Sequence, residues 1–363
     1  MGIDAGEFGR IHRADSPGGL LTPRQYDESD VRIRPGRGTR PRTKTRPTHA
    51  DAETAMVVSV DRGRWGCVIG GDPDRLVVAM RARELGRTPI VVGDDVGVVG
   101  DVSGKVDALA RIVRVQERRT VLRRTADDTD PFERVVVANA DQLLIVVALA
   151  DPPPRSGFVE RAMVAAYVGG LQPVLCLTKA DLADPDDFVS LFSDLDVPVV
   201  MAGREQPLEP LLDRISGSLT ALIGHSGVGK STLVNRLVPE ANRATGIVSG
   251  VGKGRHTSTQ SVALHLPGVP TPDLTSGDRN PFGGWVIDTP GIRSFGLAHI
   301  SPVDVVAAFS DLAVTAEQCP RGCTHLGPPA DPECALDTLT GKAAQRVQAV
   351  RRLLVAIATN ETW

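Results

Sequence analysis

The chain has 363 residues, of which 41% are hydrophobic, 23% charged and 4% aromatic, with a formal net charge of −3. That length holds two or three domains, and the mild negative balance excludes a generic polyanion binder. The most apolar run, 143–150, is too short to span a bilayer, and the first residues lack the apolar stretch of a secretory signal.

Residues 1–50 are rich in Arg, Pro, Gly and Thr without a sustained apolar period, which predicts a disordered tail. Arg32, Arg34, Arg37, Arg40, Arg42, Lys44 and Arg46 follow one another with no acid between them, a pattern suited to nucleic acid. Over 51–134 the pattern is one of short β runs. Thr54–Val60, Trp65–Ile69, Leu76–Met80, Ile90–Val99 and Arg111–Val115 are candidate strands, with turn signals at 70–73 and 93–95. Five short strands in so few residues suit an OB-fold barrel. Aromatic stacking residues are scarce there, but Arg111, Arg114, Arg118, Arg119, Arg123 and Arg124 supply a basic flank.

From 135 to 297 buried strands alternate with helices. Leu143–Ala148, Val174–Leu177, Val197–Met201, Leu219–Ile223 and Trp285–Ile287 read as strands of a parallel sheet covered on both faces. Phe158–Val168 and Thr232–Leu237 read as helices, and residues 298–363 form a small C-terminal region ending in a helix over 341–358. Five cysteines, an odd number in a chain of intracellular character, predict no disulfides. Cys67 and Cys176 fall within apolar strand patterns and belong to the core.

Three motifs sit at strand ends, where open α/β sheets place ligands. The segment 224–231, GHSGVGKS, is a phosphate-binding loop between a strand and a helix. Its residues Gly224, His225, Ser226, Gly227, Val228 and Gly229 can turn backbone N–H groups onto phosphate oxygens, helped by the helix N-terminus that continues through Thr232. Lys230 can reach the β- and γ-phosphates, and Ser231 can ligate Mg²⁺. Thr178, Lys179 and Asp181 fit the guanine-reading [NT]KxD pattern upstream. A carboxylate at Asp181 can accept from guanine N1–H and N2–H₂, whereas adenine leaves it unpaired at a cost of about 1–3 kcal/mol. Thr178 stands where Asn is commoner, which predicts a weaker side-chain bridge to the phosphate loop. Ala202, just past the Val197–Met201 strand, completes the nucleotide-contacting set. Downstream, 288–291 reads DTPG, in which Asp288 can hold a Mg²⁺-bound water and the Gly291 N–H can meet the γ-phosphate.

Ile292 follows Gly291 and cannot orient water, which predicts slow intrinsic hydrolysis unless another group helps. The segment 252–259, GKGRHTST, lies where a first switch belongs. His256 is the candidate to position water, and Thr257 the candidate second hydroxyl on Mg²⁺, with Ser258 and Thr259 as rivals. Near the C-terminus, Cys319, Cys323, His325 and Cys334 supply the ligand set of a closed tetrahedral zinc site, whose four filled positions predict one structural ion.

The order of these motifs is inverted relative to an ordinary GTPase. In that order, with GKGRHTST, the Cys₃His cluster, VGDDV at 92–96 and ANAD at 138–141, residues 54–358 resemble the circularly permuted, small-ribosomal-subunit-dependent GTPases known as RsgA or YjeQ. The resemblance implies a multidomain protein: an N-terminal OB-fold β-barrel, a central α/β P-loop GTPase domain in permuted order, and a small helical zinc-binding domain. It implies GTP and GDP, Mg²⁺ and one Zn²⁺ per chain as ligands. It also implies the small ribosomal subunit, chiefly 16S rRNA, as partner, with hydrolysis stimulated by the subunit during late assembly and linked to release. His256 matches the switch histidine of that family. A cytoplasmic monomer without membrane contact is expected. The competing expectation is an RNA-binding protein whose guanine-nucleotide site is mainly structural.

Overall fold

The computed structural model describes residues 49–105, 107–124, 134–204, 206–239, 261–266, 283–289, 297 and 300–358. The chain divides into two units, Met1–Pro47 and Thr48–Trp363, and the described residues all fall in the second. The tail expected over 1–50 therefore lies almost wholly outside them.

Five strands come first: β1 (Glu53–Asp61), β2 (Arg64–Ile69), β3 (Leu76–Arg81), β4 (Asp95–Gly100) and β5 (Ala110–Val115). They run in the order β1-β2-β3-β5-β4, and β4 pairs back onto β1, which closes the barrel. The β3–β5 pair is parallel and the others are antiparallel. This is the five-stranded OB-fold arrangement. Strand alternation sends Ala55, Val57, Cys67 and Ile112 into the barrel core, while Met56, Val58 and Val68 face outward into a second core shared with the following sheet. That double burial explains why the middle of β1, Ala55–Val58, is apolar without a break.

The strand expected over 90–99 is shorter than its apolar pattern. Only Asp95–Gly100 pairs as a strand, because the chain turns sharply at Gly93. A Cβ on Gly93 would lie 1.9 Å from the Ala138 carbonyl oxygen, so only glycine fits this approach. The neighbouring Asp94 is fully buried and holds Arg118 through two bonds of 2.7 and 2.9 Å. Arg119 in turn reaches Asp141 at 3.4 Å. The predicted basic flank is thus divided: Arg118 and Arg119 face carboxylates of the chain itself, while Arg111 and Arg114 are exposed on β5.

A two-stranded hairpin, β6 (Val121–Arg124) with β7 (Arg134–Ala138), links the barrel to the sheet and is not foreseen by the sequence pattern. It ends at Asn139, whose amide donates to the Gly93 carbonyl at 3.0 Å and whose oxygen accepts from the Arg119 N–H at 2.9 Å. Asp141 accepts from the Leu219 N–H at 2.9 Å. The VGDDV and ANAD segments therefore meet at one joint between barrel, hairpin and sheet.

The second half alternates: β8 (Gln142–Ala148), α1 (Ser156–Val168), β9 (Gln172–Thr178), α2 (Asp186–Ser190), β10 (Val199–Met201), α3 (Glu209–Ile215), β11 (Leu219–Ile223), α4 (Lys230–Leu237), β12 (Val262–His265) and β13 (Trp285–Asp288). Spatially the order is β10-β9-β8-β11-β13-β12, parallel except for β12. β12 then meets β1 at Ser59 and Val262, so the barrel wall continues the sheet. The C-terminal region holds α5 (Pro302–Ala307), α6 (Ser310–Ala316) and α7 (Lys342–Ala358). A capping box between Ser301 and Asp304 starts α5. Helix α7 buries Val347, Val350, Leu353 and Leu354 and packs on α1. Between these two helices the buried Arg161 donates to the Ala356 carbonyl at 3.1 Å.

Candidate guanine-nucleotide and metal sites

Thr178 is the last residue of β9, the phosphate loop leaves β11 at Ile223, and Asp288 is the last residue of β13. Since β9, β8, β11 and β13 are consecutive neighbours, three motifs far apart in the chain reach the same carboxyl edge. Side-chain bonds tie them together. The Thr178 hydroxyl donates to the Val228 carbonyl at 2.6 Å, with the Val147 carbonyl at 3.3 Å. Thr in place of Asn thus keeps a side-chain bridge: the buried hydroxyl reaches the phosphate loop directly. On the other side, the Lys230 ammonium pairs with the Asp288 carboxylate. Thr289, buried beside it, donates to the Leu222 carbonyl and fastens the start of the DTPG segment to β11.

The loop itself is shaped by packing. A Cβ on Gly224 would lie 2.7 Å from the Val146 carbonyl oxygen, so a side chain there would push the loop off β8. The Val228 side chain is buried in the sheet's second core, while Ser226, Gly227, Ser231 and Thr232 are exposed. Gly229 caps α4, which begins at Lys230. An exposed helix start with Lys230 and Ser231 in its first turn is an anion-binding arrangement.

Beside the loop lies a cavity of about 260 Å³ lined by Thr178, Lys179, Asp181, Leu182, Ala202, Gly203, Arg204, Gly229, Thr232, Leu233 and Arg236. It gathers Thr178, Lys179, Asp181, Ala202 and the start of α4 around one opening. The Lys179 ammonium donates to the Asp151 carbonyl, which lays its stem along this opening. Arg236 and Gly203 are wall residues that the motif patterns do not single out. A second cavity, of about 360 Å³, lies on the other side of the loop, between His225, Ser226, Pro152, Pro153, Arg155 and Phe158. The His225 ring packs against Phe158 in a tilted contact, with a centroid distance of 4.2 Å. Burial, with Arg155 adding to it, lowers the His225 pKa below the usual histidine value.

His256, Thr257, Ser258, Thr259, Gly291 and Ile292 lie outside the described residues. The structure therefore brings together Thr178, Lys179, Asp181, Ala202, the loop 224–232 and Asp288.

The Cys/His cluster is a separate centre. The ligand atoms of Cys319, Cys323, His325 and Cys334 all lie within 4.8 Å of one another. Cys319 Sγ lies 3.5 Å from His325 Nδ1 and 4.0 Å from Cys334 Sγ, and Cys323 Sγ lies 3.6 Å from the same Nδ1. Ligands at about 2.0–2.3 Å around a tetrahedral zinc stand roughly 3.5–3.8 Å apart, so the donor set fits. Backbone N–H groups of Ala335 and His325 point at Cys319 and Cys323 sulfurs at 3.3 and 3.4 Å, as they do toward thiolates. Burial pushes the Cys323 thiol up to about 12, and the Cys334 and Cys319 thiols add to the effect. A bound cation acts in the opposite sense. The connecting turn is braced by Asp331, which accepts from the Thr324 and Leu326 N–H groups, each at 3.0 Å. Arg351 of α7 donates to the His325 carbonyl at 3.0 Å and to Asp337 at 2.8 Å.

The family model described as RsgA GTPase matches residues 115–298, half of the chain. The chain belongs to the RsgA GTPase family. A protein of Alcanivorax borkumensis named small ribosomal subunit biogenesis GTPase RsgA is 36% identical over 242 residues, covering 64% of this chain and 63% of that protein. The match thus spans just under two thirds of the length of that relative. One of Chlorobaculum parvum with the same name is 33% identical over 273 residues, covering 72% of this chain and 82% of the relative. Among solved structures, YjeQ from Thermotoga maritima aligns with a TM-score of 0.58 at 23% identity, over 84% of this chain and 98% of that one. YloQ, titled a circularly permuted GTPase, aligns with a TM-score of 0.57 at 19% identity, over 87% and 98%. These two likenesses show the fold: the barrel, the permuted sheet and the C-terminal region occur together in one architecture. Membership in a GTPase family implies a guanine nucleotide and Mg²⁺ as ligands, and the Cys₃His cluster is compatible with one zinc. Among the described residues no helix is long and apolar enough to cross a membrane.

Proposed function

We propose that the protein is a GTPase that binds the small ribosomal subunit, chiefly through 16S rRNA, and hydrolyses GTP to GDP and phosphate during late subunit maturation. Hydrolysis is stimulated by the subunit and linked to release. The observation that carries the reading is the convergence of the TKAD and GHSGVGKS segments and the start of DTPG, Asp288 and Thr289, on one sheet edge, tied by the Thr178–Val228 and Lys230–Asp288 contacts. The names of the relatives point the same way.

In this reading the base enters the cavity beside Asp181, which accepts from N1–H and N2–H₂, with Lys179 along one face and Ala202 in the wall. Backbone N–H groups of 224–229 and the start of α4 receive the phosphates, and Lys230 neutralises charge on the β- and γ-phosphates. Ser231, Asp288 and Thr257 are the residues for Mg²⁺, which when bound offsets charge developing on the transferred phosphoryl group. Gly291 donates to the γ-phosphate. His256 positions the water, since Ile292 cannot. The four Cys/His ligands hold one structural zinc that keeps the C-terminal region folded. The working parts are a barrel over 51–134, the GTPase domain over 135–297 and the zinc domain over 298–363, preceded by a basic tail, in a cytoplasmic monomer.

The test is GTP turnover by the full chain with and without purified small ribosomal subunits, with large subunits and ATP as controls. Stimulation by small subunits alone supports the proposal. Slow turnover that the subunit leaves unchanged overturns it in favour of an RNA binder with a structural nucleotide.

A further inference from the structure

We propose that Arg236 is a positioning residue for the nucleotide base, strapping the wall of the base cavity to the phosphate-loop helix. The inference rests on the guanine-nucleotide reading of the same cavity. β10 ends at Met201, and among the described residues the last backbone bond that holds its continuation to the sheet is the Ala202 N–H to the Leu177 carbonyl, at 2.9 Å. Beyond Ala202 the chain leaves the sheet and does not enter α3 until Glu209. Arg236, in the last turn of α4, spans that gap. Its half-buried guanidinium donates through one nitrogen to the Gly203 carbonyl and through another to the Gln206 carbonyl, the latter at 2.8 Å.

A planar guanidinium presents its donors in a fixed fork, so one side chain can hold two carbonyls at a set separation, whereas the three rotatable donors of an ammonium fix no such separation. The strap begins on the helix whose start meets the phosphates and ends on the loop that walls the base. Arg236 itself lines the same cavity as Asp181 and Ala202. Asp181 is exposed, and a carboxylate there meets both guanine donors only if the base is held in one plane. The Ala202–Gly203 wall sets that plane, and Arg236 sets the wall. Adenine offers Asp181 no such donor pair, so binding of an adenine nucleotide rests on ribose and phosphates and is indifferent to the strap.

The test measures dissociation constants of GDP and ADP on the full chain, for the wild type, Arg236→Ala and Arg236→Lys, alongside melting temperatures without nucleotide. The expectation is about a tenfold weaker GDP complex in Arg236→Ala, the scale of losing charge-assisted bonds. ADP binding changes less than about twofold, so the GDP-over-ADP preference narrows by roughly the same tenfold. Arg236→Lys falls between, and it decides the question if the alanine variant does not fold. Equal weakening of GDP and ADP identifies a merely structural role and overturns the proposal, as does unchanged GDP affinity. A wild-type chain that does not prefer GDP overturns the guanine reading itself, which is a different result from a wild type that prefers GDP and a variant that does too.

Discussion

The Cys/His centre and the nucleotide centre are built in opposite ways. All four candidate zinc ligands come from one short stretch, 319–334, and their donor atoms lie within 4.8 Å of one another. The nucleotide centre takes its residues from the ends of β9, β11 and β13 and from the loop after β10, so it exists only once the sheet has formed. The first is a local closure whose donor set is compatible with one zinc. The second is a long-range convergence whose stability belongs to the buried core beneath it. Damage to one should therefore spread differently from damage to the other.

The largest effect is expected at the first. Cys323→Ser should abolish stoichiometric zinc and destabilise the C-terminal region by at least about 3 kcal/mol, since the metal's binding energy is folding energy there. Metal analysis with amide exchange over 300–358 checks this, and protection retained without zinc would mean that the packing of α7 on α1 suffices. Lys230→Ala should weaken GTP binding by roughly 10–100-fold, the scale of charge-assisted bonds, with little change in melting temperature. An equally large loss of stability would show that the Lys230–Asp288 pair also holds the sheet edge together.

Thr178→Val comes next. The variant is similar in shape but leaves the Val228 carbonyl without its donor, at about 1–3 kcal/mol. GDP affinity should fall more than stability does, which titration calorimetry and melting curves together decide. The smallest effect concerns His225. Its folded-state pKa is lowered, so the unfolded chain takes up its proton first as pH falls. Stability from this group is full above the unfolded pKa of about 6.5 and is lost as pH drops through that value toward the folded one. Acidification from pH 7.5 to 5.5 should cost His225→Gln roughly 1 °C less in melting temperature than the wild type. An identical loss in both would assign the acid sensitivity to another group.

Much of the fold was legible in advance because burial leaves a period in the sequence. The runs 143–148 and 219–223 read as buried parallel strands, and both are central strands. The barrel was legible from five short strands, yet the run 90–99 reads as one strand across its own turn signal at 93–95. Its apolar residues are buried around a turn at Gly93, and burial alone does not distinguish a strand from a turn packed under a hairpin. The hairpin β6–β7 and strand β12 escaped because each is four or five residues long and draws its pairing from partners elsewhere. The arginines of the basic flank could be counted but not sorted. Whether Arg118 meets solvent or Asp94 is a question about residues that lie 24 positions apart.

By itself the sequence determined the chemistry on offer: a phosphate loop, a guanine-type carboxylate at Asp181, a magnesium-type carboxylate at Asp288 and a four-ligand soft-metal set. These are local facts, since each depends on residue types within a few positions. The tertiary structure alone decided what those groups touch. It gave the Thr178 hydroxyl the Val228 carbonyl as acceptor and set Arg236 against the loop after β10. It also fused the barrel to the sheet through β1 and β12. The reason is physical. Such contacts join segments that only the burial of a common core brings within hydrogen-bonding distance, and no local pattern records the partner.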